Sequence, residues 1–471
     1  MRVSGDIKPV EPPLFDADLI RRYDVNGPRY TSYPTALQFR ADFDAEAYRG
    51  CALDSNGDPI PTPLSLYVHI PFCATVCFYC ACNKVVTHNR RHAADYLRHL
   101  FLEMEMQARL FDADRTVEQL HLGGGTPTFL DADQLAQLLA QTRRLFRLAP
   151  DTEGEYAIEI DPRTLRPDSV AQLRQLGFNR VSLGVQDLDA DVQRAVNRIQ
   201  PEEVTLAAVA AIRKERFHSL GMDLIYGLPR QTPDRFARTL ERVIAMRPDR
   251  LSVFNYAHLP HRFKTQQQID ESELPGAEGK LRILQLAIAQ LTAAGYEYIG
   301  MDHFALPGDS LCQARRTGTL HRDFQGYSTR GNCDLIGLGM SSIGQIGNCY
   351  AQNARTLETW RALVSAGRLP VERGIVCSAD DRLRRQVIMT LLCYFSLRPT
   401  AIEQEWDVVF WDYFARERQR LGVFVADGLL RVEDDLIEVL PRGRLLIRNI
   451  CMAFDQYLRD SDQQQGYSKA V

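Results

Sequence analysis

The chain has 471 residues, with 56 Lys+Arg against 60 Asp+Glu for a formal charge of −4; it is 45% hydrophobic and 25% charged. Those figures describe a globular chain of roughly two to four domains that buries a full core without staples, and they exclude a coiled coil, a disordered chain and a polyanion-binding surface spread over the whole molecule. No stretch approaches the roughly 18 uninterrupted apolar residues of a membrane span, and the start, MRVSGDIKPVEPPLFDADL, has no signal-peptide pattern, so the expected location is the cytoplasm.

Residues 1–63 are rich in Pro, Gly and Asp (Pro12-Pro13, Gly27-Pro28, Ser55 to Pro59) and read as an N-terminal extension. A regular pattern then begins. Strands are predicted at Ser65–Ile70, Val117–Leu122, Glu155–Ile160, Arg180–Val185, Ser219–Ile225 and Arg250–Tyr256. Helices are predicted at His92–Phe111, from Asp131 to Phe146, Pro167–Leu176, Pro201–Glu215, Pro233–Met246 after a Thr232 N-cap, and Lys280–Ala294. Six strand–helix units in succession, each crossover long enough for a parallel connection, make an α/β fold. The expected architecture is an open (β/α)6 partial TIM-like barrel over residues 64–350. Its last stretch, Asp334 to Gly347, is apolar and glycine-rich without clear regularity. Residues 351–471 read as a linker and a small, mostly helical C-terminal domain. Its expected elements are helices at Asp381–Cys393 and Trp411–Leu421, strands near Leu429–Val432 and Leu436–Val439, and a helix from Arg442 to Tyr457, a winged-helix-like order.

Parallel α/β sheets carry their sites outside the carboxyl ends of the strands. Here every predicted strand ends in chemically marked residues. The first runs into Pro71 to Cys82, and the second into Gly123-Gly124-Gly125-Thr126-Pro127. The third ends in Glu159-Ile160-Asp161-Pro162, and the fourth in Gln186-Asp187. The fifth carries Asp223, and the sixth leads into Asn255-Tyr256-Ala257. One polar residue at a strand end is ordinary; six ends marked together point to one site.

Eleven cysteines, an odd number in a chain without an export signal, are not a disulfide framework. Cys73, Cys77 and Cys80 have the spacing C-x3-C-x2-C, which suits iron–sulfur ligation. Three such ligands leave one iron of a [4Fe–4S] cluster open to a small molecule. Zinc or a redox thiol is the alternative, weakened by the lack of a second cysteine pair and by the poor placement of His69 and His88. Cys82 reads as a non-ligand, although a C-x-C step to a fourth ligand is feasible. Three consecutive glycines are costly in an element interior, so Gly123–Gly125 suggest close approach of a ligand to the backbone, or else a flexible loop.

Tyr67-Val68-His69-Ile70-Pro71-Phe72-Cys73 with this cysteine spacing, followed by Gly123-Gly124-Gly125-Thr126-Pro127, resembles the radical S-adenosylmethionine (AdoMet) superfamily. Within it the chain resembles the oxygen-independent coproporphyrinogen III oxidase (dehydrogenase) family. That closer likeness runs over nearly the whole length, through Gly27-Pro28-Arg29-Tyr30-Thr31-Ser32-Tyr33-Pro34-Thr35, Cys80-Ala81-Cys82-Asn83-Lys84, Asp223 to Pro229, Phe254 to Pro260 and Gly443 to Cys451. The resemblance implies a [4Fe–4S] cluster on Cys73, Cys77 and Cys80 and two AdoMet molecules. The first would meet Tyr67, Gly124, Glu159 and Ile343; the second would meet Tyr79, Gly125, Thr126, Gln186, Arg198, Asp223 and Ala257. The implied chemistry is a 5′-deoxyadenosyl radical that takes hydrogen from a propionate β-carbon. Loss of CO2 and one electron then leaves a vinyl group, twice per coproporphyrinogen III, giving protoporphyrinogen IX for haem synthesis. Arg29 is the candidate partner for a substrate carboxylate. A reductant protein such as flavodoxin or ferredoxin, an unidentified electron acceptor and a monomeric state are also implied. The rivals are a haem-binding chaperone of the same superfamily, a simple electron carrier, and nucleic-acid binding through Arg442, Arg444 and Arg448, for which a solvated helix face is an equal explanation.

Overall fold

In the computed structural model, residues 11–458, 467 and 469 are described. The chain forms two compact units. One comprises Phe39–Lys280 and Asn332–Val376; the other comprises the described residues up to Gln38, Leu281–Gly331, and those from Cys377 onward.

The first unit contains all six predicted strands. They are β1 (Leu64–Ile70), β2 (Thr116–Gly124), β3 (Glu155–Ile160), β4 (Arg180–Gln186), β5 (Ser219–Tyr226) and β6 (Arg250–Asn255). Then come β7 (Asp334–Leu338), β8 (Ile343–Ile346), β9 (Cys349–Asn353) and β10 (Val371–Val376). Within this unit the strand order is β6-β5-β4-β3-β2-β1-β7-β8-β9-β10. Strands β6 through β7 are mutually parallel, and β7 through β10 are antiparallel. The crossovers carry α1 (Arg91–Ala108), α2 (Ala132–Leu145), α3 (Ser169–Gln175), α4 (Ala190–Ala195), α5 (Glu202–Lys214) and α6 (Pro233–Met246). The expected α/β array is therefore present, with one parallel strand more than the sequence suggests. β7 hides in the glycine-rich stretch because Gly337 must be glycine: a Cβ there would lie 2.8 Å from the Ile343 carbonyl carbon on β8.

Local signals explain the element starts. Asp131 accepts from the Gln134 N–H while Gln134 reaches back to the Asp131 N–H, a reciprocal cap on α2. Thr232 caps α6 with Pro233 at its first position. The strands show how the fold aims the site. In β4, Val181, Leu183 and Val185 are buried while Ser182, Gly184 and Gln186 are half-buried; in β5, Leu220, Met222 and Leu224 alternate with Gly221 and Asp223 in the same way. Period-two alternation thus turns one face of the sheet into apolar core and leaves the other to carry Tyr67, His121, Glu159, Ser182 and Asp223.

The other unit has its own core of Ile299, Ala305, Leu311, Cys312, Ala314, Leu320, Tyr327, Cys393 and Tyr394. The helix Ala379–Tyr394 is followed by the helices Pro399–Trp406, Phe410–Tyr413 and Ala415–Ala426. The hairpin Leu430–Glu433/Leu436–Val439 then joins Ser396–Leu397 in a three-stranded sheet. The predicted helix from Arg442 to Tyr457 is instead three short pieces, Pro441–Leu446, Ile447–Met452 and Gln456–Leu458. Pro441 suits the first turn, where its missing N–H is not needed, but Gly443 packs so closely that a Cβ would lie 2.3 Å from the Leu429 carbonyl oxygen. Its arginines form no solvated face. Arg444 and Arg448 are buried, and Arg442 pairs with Asp16 at 2.6 Å. Arg448 donates to the carbonyls of Pro28 (2.9 Å) and Gly27. The N-terminal extension is also less irregular than its composition suggests: Asp16 and Asp44 cap the helices Ala17–Tyr23 and Ala45–Asn56.

Candidate active site

The cysteine segment leaves β1 and is pinned on several sides. The Phe78 N–H donates to the Val196 carbonyl (3.0 Å), and Asn197 Nδ2 donates to the Val76 carbonyl (2.8 Å). Buried Gln266 donates through Nε2 to both the Tyr79 and Ala257 carbonyls (3.0 and 3.2 Å), tying the cysteine loop to the segment after β6. Lys84 Nζ and Thr265 Oγ1 donate to the Cys80 carbonyl at 3.0 and 3.1 Å. None of the eleven cysteines is in a disulfide.

The thiols differ in their surroundings. Cys73 Sγ lies 3.4 Å from Thr126 Oγ1, and burial pushes its pKa up to about 11. Cys77 Sγ faces two guanidiniums, Arg198 Nη1 at 3.6 Å and Arg163 Nη2 at 3.8 Å. A hydrogen bond from Cys82, with Lys84 nearby, holds Cys80 down to about 6, and the same contact drives Cys82 well up. Both arginines share one carboxylate: Asp161 receives Arg163 at 2.6 Å and Arg198 at 3.1 Å. Burial would raise Asp161, but the two cations outweigh it and leave its pKa lowered.

The half-buried sheet face supplies the second part. Tyr67 is in register with His121 on one side and Gly337 on the other, and Gly337 abuts Ile343. Glu159 accepts from His121 Nε2 (3.0 Å) through one oxygen and from the Gly124 N–H (3.3 Å) through the other. Asp223 accepts from Ser182 Oγ at 3.1 Å; burial, and then the charge of Glu159, push its pKa up to about 6. Gln186 closes β4 with a left-handed φ of 69°, and its side chain and that of Arg198 both lie against Gly184.

The three glycines make room for the protein's own groups. A Cβ on Gly123 would lie 2.7 Å from Glu159 Oε1, one on Gly125 2.6 Å from the Pro71 carbonyl oxygen, and one on Gly124, whose φ is +114°, 2.6 Å from the His69 ring. Beside the expected approach of a ligand, the protein itself gives a reason for glycine: Gly124 meets the His69 ring and Gly125 the Pro71 backbone, whereas Gly123 faces the movable end of Glu159.

These residues fit an iron–sulfur cluster and a polar ligand. The donor set is thiols only, and Cys77 meets cations that suit a thiolate. Cys73 lies near enough to Cys80 and Cys77 to feel the charge of each, as joint ligation of one cluster needs. Beside them, Arg198 Nε and Asn255 Oδ1 are buried with no partner among the described residues, and buried polar atoms rarely stay unsatisfied.

Thus Cys73, Cys77, Cys80, Tyr79, Thr126, Gln186 and Arg198 gather around the cysteine segment, with Ala257 joined through Gln266. Tyr67, Gly124, Glu159, Asp223 and Ile343 follow the sheet face. Arg29 belongs to the other unit and pairs with Asp302 at 3.0 Å. Sequence reasoning assigned nothing to Gln266, His121, Arg163 or Lys84. Arg163 directly follows the marked run Glu159-Ile160-Asp161-Pro162, but nothing in the run Thr265 to Ile269 singles out Gln266.

The radical SAM superfamily model matches residues 67–243. The oxygen-independent coproporphyrinogen III oxidase of Pseudomonas aeruginosa is 52% identical over 97% of this chain and 99% of its own. The chain belongs to that family. The Escherichia coli relative of the same name is 49% identical over 97% of this chain and 98% of its own length. A solved structure described as E. coli coproporphyrinogen III oxidase (HemN), a radical SAM enzyme, superimposes with a TM-score of 0.90 at 48% identity, covering 95% of this chain and all of that one. Membership extends over both units, so the coproporphyrinogen oxidase likeness is not confined to the radical SAM segment.

Proposed function

We propose that this chain oxidatively decarboxylates two propionate side chains of coproporphyrinogen III to vinyl groups, giving protoporphyrinogen IX. The observation that carries this reading is kinship at about half of all positions along the whole length with enzymes of that name. Cys73, Cys77 and Cys80 hold a [4Fe–4S] cluster, and AdoMet binds beside it. Together these groups supply, when bound, one-electron cleavage of AdoMet and a carbon radical that removes hydrogen from the propionate.

The chain's own residues do the rest. Arg163 and Arg198 offset the negative charge of the cysteine ligands, and Arg198 Nε and Asn255 Oδ1 supply a donor and an acceptor to a bound molecule. Glu159 and Asp223 take hydroxyl or ammonium donors of two AdoMet molecules. Tyr67, Gly124 and Ile343 belong with Glu159 to the first; Tyr79, Gly125, Thr126, Gln186, Arg198 and Ala257 belong with Asp223 to the second. Arg29 meets a substrate carboxylate, for which its Asp302 partner stands in until substrate arrives. A small reductant protein such as flavodoxin or ferredoxin delivers the electron, and the protein acts as a monomer in the cytoplasm.

The test is anaerobic: reconstituted protein with coproporphyrinogen III, AdoMet, reductant and a cell extract as acceptor source, assayed for protoporphyrin after oxidation. Product is expected from the wild type and none from Cys77→Ala, which also loses the cluster absorbance. Arg29→Ala keeps the cluster spectrum and loses substrate use. AdoMet cleavage without product would sink the assignment of substrate, and wild-type turnover by Arg29→Ala would sink that residue's role.

A further inference from the structure

His121 stands where three strands meet on the half-buried face. It projects from β2, its ring lies over that of Tyr67 on β1 with centroids 5.8 Å apart and planes at 22°, and its Nε2 is 3.0 Å from Glu159 Oε1 on β3. A carboxylate oxygen only accepts, so Nε2 carries the proton and donates. The other carboxylate oxygen is held by the Gly124 N–H at 3.3 Å. Each oxygen of Glu159 therefore spends one acceptor position on the protein and keeps another. The Glu159 side chain is 42% exposed against 17% for His121, so the acid faces outward and the imidazole lies behind it. The Gly123 position closes the arrangement, since a Cβ there would strike Glu159 Oε1 at 2.7 Å and His121 Nε2 at 3.1 Å.

We propose that His121 is a positioning residue for AdoMet: it locks Glu159 with its spare acceptor positions outward and backs the Tyr67 ring, so that two contacts of the first AdoMet are preorganised by one side chain. This rests on the reading that Tyr67 and Glu159 are AdoMet contacts. The physical reason is entropic. A half-exposed glutamate with three rotatable bonds samples many rotamers, and freezing it before the ligand arrives transfers that loss from binding to folding. The step involves no bond making.

The experiment measures AdoMet affinity by equilibrium dialysis, together with the change AdoMet causes in the electron paramagnetic resonance spectrum of the reduced cluster, on anaerobically reconstituted full-length protein. His121→Phe keeps the ring on Tyr67 and removes the donor; its AdoMet dissociation constant is expected to rise about tenfold, as for loss of a hydrogen bond to a charged group. His121→Gln restores an N–H donor and is expected to stay within about threefold of wild type. Iron content is unchanged in both. The proposal is overturned if His121→Phe binds AdoMet like wild type, if both variants lose affinity equally, or if either loses the cluster, which would make the residue structural. Glu159→Gln separates the premise from the proposal: unchanged AdoMet affinity there removes Glu159 as a contact, whereas weakened affinity there with a normal His121→Phe removes only His121.

Discussion

Glu103 shows how far a single buried residue can be from what its type suggests. It sits on α1 with no exposure and accepts from the Gly339 N–H (2.9 Å), Trp360 Nε1 (2.9 Å) and Asn353 Nδ2 (2.6 Å). It thereby ties α1 to the loop after β7, to β9 and to the helix Leu357–Ser365. Burial raises its pKa from 4.5 to about 7 despite three donors. A raised folded pKa means that the unfolded chain releases the proton first, so the contribution to stability is complete below about 4.5 and is lost as pH rises toward 7. Comparing urea midpoints at pH 5 and pH 7 checks the sign: wild type should lose more stability over that interval than Glu103→Gln, and equal losses would refute it. The cysteines are a contrasting case at the same scale. Their spacing announces ligation in one dimension, but that Cys77 faces Arg163 and Arg198 follows only from bringing β1, β3 and the segment after β4 together.

At the scale of elements, alternation and caps were legible. Period-two burial in β4 and β5 and the signals at Asp131 and Thr232 place strands and helices within a few residues of where they lie. Asp131→Ala removes the carboxylate that accepts from the Gln134 N–H and leaves the backbone half of the cap on α2 in place; its cost should be about 1 kcal/mol, seen as a lower urea midpoint with an unchanged slope. Three elements resisted reading, each for a physical reason. β7 carries glycine where β8 presses on its backbone. The extension helices are short and depend on aspartate caps that composition counts as loop residues. The segment from Pro441 breaks because Gly443 must admit a carbonyl oxygen. Glycine marks a site of close approach in both β7 and that segment, and sequence does not say whether a ligand or the protein itself approaches.

At the scale of the whole molecule, the chain returns repeatedly to the same unit from distant segments. Arg448, near the end, donates to the Pro28 carbonyl at 2.9 Å and to the Gly27 carbonyl, and Tyr30 donates to Asp455 at 2.9 Å. The segment bearing Arg29 is thus held by residues from the far end of the chain. Arg448→Ala takes the guanidinium donor from the Gly27, Pro28 and Lys469 carbonyls, a cost of about 1–3 kcal/mol for each that is left buried and unpaired. Limited proteolysis should cut near Gly27–Pro28 faster in that variant than in wild type, with the far-ultraviolet spectrum preserved; equal rates would show that the segment is held by other contacts. No helix among the described residues is long and apolar enough to cross a membrane, in keeping with the hydropathy of the sequence.

By itself the sequence determined the strand–helix alternation and the cysteine spacing, because periodicity, caps and residue spacing are short-range and survive in one dimension. Only the tertiary structure decided what surrounds those groups. It set His121 behind Glu159, two arginines against Cys77, Gln266 between the cysteine loop and Ala257, and Arg448 under the N-terminal segment. These contacts join residues whose separation along the chain carries no pattern, and their energies come from burial and hydrogen-bond geometry that exist once the strands are in register.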